Sequence, residues 1–81
     1  MDLVAKDAVK AMVELSETWQ EADKVIKEFT PWKSTGERLS YLYGTFNVSI
    51  LASHDGIEDE QHKLEADYRA VLSAIVNQKW R

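Results

Sequence analysis

The sequence predicts an all-α fold: a three-helix bundle, or a long helical hairpin with a third helix. Three observations carry that expectation. Apolar residues recur at helical spacing in the first and last thirds of the chain. Pro31, Gly36 and Gly56 fall at two polar joints between those stretches. Each joint carries a residue pattern that starts a helix.

The first helix is expected over residues 2–29. Ala5, Ala8, Met12, Leu15, Trp19, Ala22, Ile26 and Phe29 follow one another in alternating steps of three and four, which places them on one stripe. Val4, Val9, Ala11 and Val25 widen it. The opposite face is charged, with an acidic edge at Asp7, Glu14, Glu21 and Glu28. Asp23 and Lys27 have the spacing of a favourable pair. Pro31 ends the helix because Thr30, before it, is pushed out of α geometry.

The second helix is expected over 35–53, after a capping box of Ser34 and Glu37. The third is expected over 57–79, after Asp55 and Glu58 at the same spacing with Gly56 in the turn. Ile57, Leu64, Tyr68, Val71, Leu72, Ile75 and Val76 form its apolar face. Acidic Glu58, Asp59 and Glu60 open it, and Lys79 and Arg81 close it, in the sense that suits the helix dipole. Glu65 and Arg69 have pairing distance across one turn.

Within the second helix lies "LSYLYGTFNVSILAS", a run without a single charge. As a strand it would alternate Leu42, Gly44, Phe46, Val48 and Ile50 on one face, but a lone strand between helices leaves its backbone groups unpaired. Read as a helix, it is apolar or neutral on nearly every side, which is expected of a central, buried helix. The face left over carries Ser40, Tyr41, Tyr43, Thr45, Asn47 and Ser49, and Gly44 admits a close backbone approach. That face is therefore expected to bury itself against a second chain. A continuous first helix, about 40 Å long, would also overhang a domain of roughly 30 Å. A homo-oligomer follows, with a dimer the commonest form.

The 81 residues make one domain, 1–81, with a thin core. Such domains commonly gain stability from disulfides, metals or self-association. With 0 cysteines, disulfides and thiolate metal sites are excluded, and a reducing, cytoplasmic setting is the expectation. A formal charge of −4 argues against general nucleic-acid affinity, so no nucleic-acid partner is expected. No stretch approaches the ~20 apolar residues needed to cross a bilayer, so no membrane partner is expected either.

No catalytic frame surrounds His54 or His62, and no cofactor motif is present; "STGER" lacks the glycines of a phosphate loop. No enzyme, cofactor or metal is therefore expected. Asp59 and His62 resemble half of a carboxylate–His metal site, but Glu14, Glu17 and Glu21 lie on the polar face of the first helix, so both are read as surface residues. The expected function is a non-enzymatic helical protein–protein interaction module: an inhibitor, adaptor or assembly factor of the kind that phages and other mobile elements encode. Its interface is expected at Tyr41, Tyr43, Gly44, Asn47 and Ser49 with the aromatic anchors Trp32 and Trp80. Two alternatives stand beside it. One is a small-molecule or nucleotide binder using Lys33, Arg38, Tyr41 and Thr45. The other is the metal-binding bundle.

Overall fold

The computed structural model describes residues 6–48 and 53–78. Four α-helices account for most of them: α1 (Lys6–Leu15), α2 (Trp19–Phe29), α3 (Thr35–Phe46) and α4 (Glu60–Gln78). No strand occurs among the described residues. The fold class is therefore all-helical, with one helix more than the sequence suggested. Val4, Ala5, Ser49, Lys79, Trp80 and Arg81 lie outside the described residues.

The extra helix comes from a break in the expected first one. Thr18 sits in an extended conformation, φ −130° and ψ 158°, and caps α2 by accepting from the Glu21 N–H. The Glu21 carboxylate reaches back to the Glu17 N–H at 2.9 Å. "TWQE" thus has capping-box spacing, with the carboxylate returning to the residue before the cap, inside what reads as one continuous stripe. On the other side of the break, the Ser16 hydroxyl donates to the Met12 carbonyl at 2.9 Å, closing α1.

Packing explains why the break prevails. α1 buries Val9 and Val13, while α2 buries Ala22 and Ile26. At about 100° per residue, Val13 and Ala22 would lie on opposite sides of an unbroken helix. One core cannot receive both sides, so the chain folds α1 back onto α2. The overhang expected of an unbroken helix about 40 Å long disappears with it.

α4 is the central helix, in contact with α1, α2 and α3. It contributes Tyr68, Val71, Leu72, Ile75 and Val76 to the core, as its periodicity predicts. The expectation that the charge-free run forms the central helix is overturned, because α3 packs chiefly on α4 through Leu39 and Leu42. α3 begins at Thr35 as expected, with Ser34 accepting from the Glu37 N–H at 3.2 Å and donating to its carboxylate at 2.9 Å. It ends at Phe46, because Asn47 takes the left-handed conformation (φ 51°, ψ 41°) of a helix C-cap. Asn47 and Val48 thus lie outside the helix that was expected to reach residue 53, and residues 49–52 of that extension lie outside the described residues.

α4 begins later than expected. Gly56 (φ +80°) belongs to a turn, and the N-cap is Asp59, whose carboxylate accepts from the His62 N–H at 3.1 Å. Asp55 and Glu58 do not form the cap. His54 is half-buried and hydrogen-bonds Asp67 at 2.8 Å, which ties the turn to α4.

Candidate functional site

Three places on the molecule have the make-up of a binding site. The first is the outer face of α3. Ser40, Tyr43 and Gly44 are exposed, Tyr43 to 41%. A methyl group added at Gly44 would meet nothing within 4 Å, so nothing inside the chain requires a glycine there. Other members of the expected interface are engaged within the chain. Trp32 stacks on Tyr41 at 4.8 Å, and Phe46 meets the Tyr41 ring edge-on at 6.4 Å. Asn47 ends the helix, and Thr45 is half-buried. Burial raises the Tyr41 phenol above its ordinary range, and its hydroxyl has no partner among the described residues.

The second place is the outer surface of the α1–α2 hairpin. Ala8, Ala11 and Leu15 are exposed and Met12 is half-buried, because α1 turns Val9 and Val13 inward instead. The stripe that reads as core over this stretch is therefore the surface. Leu15 is 77% exposed. With Met12 and Val25 it lines a shallow groove of about 400 Å³, whose rim carries Glu21 and Lys24.

The third is a cleft of about 460 Å³ between α2, α3 and α4. Trp19, Asp23 and Lys27 line it from α2, Thr35 and Arg38 from α3, and Glu65, Ala66, Tyr68 and Arg69 from α4. Asp23 is fully engaged: Lys27 lies 3.0 Å away, forming the expected pair, and the Tyr68 hydroxyl donates to it at 2.7 Å. Burial, with the Asp23 hydrogen bond and charge, drives the Tyr68 phenol far above its usual range; the nearby Arg38 charge opposes this. The Gln61 amide donates to the Thr35 hydroxyl at 3.2 Å and to the Glu65 carboxylate at 3.4 Å.

The expected Glu65–Arg69 pair does not form. Arg69 lies over the Trp19 ring instead, 4.8 Å from its centroid. Arg38 makes no ion pair with a described carboxylate, and its Nε is withdrawn from solvent without an acceptor. Of the residues expected to bind a ligand, only Arg38 lines this cleft. Lys33 is exposed outside it, and Tyr41 and Thr45 are elsewhere on α3. Trp19, Tyr68 and Arg69 had signals in the sequence only as core or helix-surface residues.

Asp59 and His62 do meet, at 2.8 Å, as part of the α4 cap. Among the described residues, no three His, Asp or Glu side chains converge as a ligand set. Nor is any described helix long and apolar enough to cross a membrane.

No family model matches the chain, and comparisons with curated proteins and with solved structures also give no match.

Proposed function

We propose that this chain is a non-enzymatic helical interaction module that works as a homo-oligomer, in its simplest form a dimer. The observation that carries this reading is the outward-facing apolar side of α1. Ala8, Ala11, Met12 and Leu15 stand at positions i, i+3, i+4 and i+7, the spacing of a helix that docks by one face. Leu15 at 77% exposure is costly to leave in water, and a contiguous patch of this kind marks an interaction surface. The occupant we assign is a second copy. The groove rim carries one acid, Glu21, and one base, Lys24, and a two-fold axis passing between them sets each against its opposite. Alanines at positions 8 and 11 permit close approach of the helices. The inhibitor, adaptor or assembly roles belong to this reading as uses of the assembled surface.

The α3 face is the second candidate seam. Its support is the exposed Gly44, for which the chain itself has no steric need. With Tyr41 and Trp32 stacked on each other, what it offers outward is small.

Sedimentation of the parent with Leu15→Glu and Gly44→Glu decides between the two. Leu15 is so exposed that a charge there leaves the core intact. Leu15→Glu is expected to yield monomers while Gly44→Glu sediments like the parent. The reverse result moves the seam to α3. A parent that sediments as a monomer at about 50 μM, where dimers of micromolar Kd would persist, overturns self-association.

A further inference from the structure

The cleft between α2, α3 and α4 is not explained by self-association. We infer that it binds a small phosphate monoester, held by Arg38 and Arg69. The chain carries a formal charge of −4, yet the charged side chains lining this cleft are Lys27, Arg38 and Arg69 against Asp23 and Glu65. Basic groups outnumber acidic ones only locally. Lys27 and Asp23 neutralise each other, and Asp23 also holds the Tyr68 hydroxyl. Neither guanidinium is paired with a described carboxylate, although Glu65 lies one helical turn from Arg69 and lines the same cleft. The Arg38 Nε is shut off from solvent, so only its terminal nitrogens can meet a ligand in the cleft.

The chemistry of that acceptor follows from two forks on two different helices. A carboxylate carries one charge and two oxygens, which one guanidinium satisfies. A phosphate monoester carries nearly two charges and three terminal oxygens, enough for both. The cleft holds about 460 Å³, within the range of small-ligand sites, so an organic portion fits beside the phosphate. Ala66 supplies apolar wall for it, and Trp19, with Arg69 over its ring, backs the guanidinium.

The test is titration calorimetry of the full chain with phenyl phosphate, inorganic phosphate and benzoate. Phenyl phosphate is expected to bind saturably, and benzoate at least about tenfold more weakly. Arg38→Gln and Arg69→Gln should each weaken phenyl phosphate by about tenfold or more, while Lys33→Gln, outside the cleft, should not. Arg69 is exposed, so its variant keeps the fold even where Arg38→Gln fails to by circular dichroism. Inorganic phosphate binding as tightly as phenyl phosphate would overturn the assignment to a monoester. Three further results would overturn the proposal: no saturable heat, binding that survives Arg69→Gln, or benzoate binding as tightly as phenyl phosphate.

Discussion

Tyr68 and Asp23 show how one hydrogen bond links helices far apart in sequence. The phenol leaves α4 and donates to a carboxylate on α2 at 2.7 Å, while Lys27 holds the other oxygen at 3.0 Å. Removing the hydroxyl takes a charge-assisted bond from a site with little water. Tyr68→Phe is expected to cost about 1–2 kcal/mol at pH 7, measured by urea unfolding. The same bond makes stability fall in alkali. Burial and Asp23 raise the folded phenol's pKa, whereas the unfolded phenol titrates near 10.0. The folded state thus keeps a proton that the unfolded state releases. The contribution is whole below about pH 10 and is lost as pH rises above it. Tyr68→Phe should flatten that loss in part, leaving the share due to Tyr41, whose phenol burial also raises.

At the scale of single elements, capping decides where helices begin. Ser34 with Glu37 was legible in the sequence because no periodic stripe competed with it. Thr18 with Glu21 is the same pattern, concealed because the three–four rhythm runs through it without a gap. Asp59 was obscured by Asp55 and Glu58, which have cap spacing but sit where Gly56 turns the chain. Thr18→Ala and Asp59→Ala are each expected to cost about 1 kcal/mol in urea unfolding. The second value departs from the reading of Asp59 as a surface residue without structural duty. If Thr18→Ala proves neutral, packing of Val9 and Val13 alone sets the break.

For the whole molecule, one helix carries most of the burden. α4 touches the other three, and Leu72 and Val71 within it are wholly buried. The radius of gyration, 12.5 Å, is that of a compact chain of this length. Domains of this size hold only about 5–10 kcal/mol in reserve. Leu72→Ala leaves a cavity where α4 meets its neighbours, at a cost of about 2–5 kcal/mol. That should lower the thermal midpoint by more than 10 °C at about 5 °C per kcal/mol, or abolish cooperative melting. An equivalent truncation at exposed Leu15 should leave the monomer's stability nearly unchanged.

The amino-acid sequence by itself determined the helical class, the stop at Pro31, the start at Thr35 and the inward face of α4. Each rests on short-range causes: proline sterics, a side chain capping its own turn, or a periodicity with only one place to bury itself. Tertiary structure decided which of two apolar faces α1 turns inward. Val9 with Val13 and Ala8 with Leu15 are both helical stripes, and local rules do not rank them. Only the half-turn mismatch between Val13 and Ala22 against a common core breaks the tie, and it does so by breaking the helix. The α2–α3–α4 cleft was hidden for the same reason. Arg38 stood out as a possible anion ligand, but Trp19, Tyr68 and Arg69 are separated from it in sequence and meet only when three helices close.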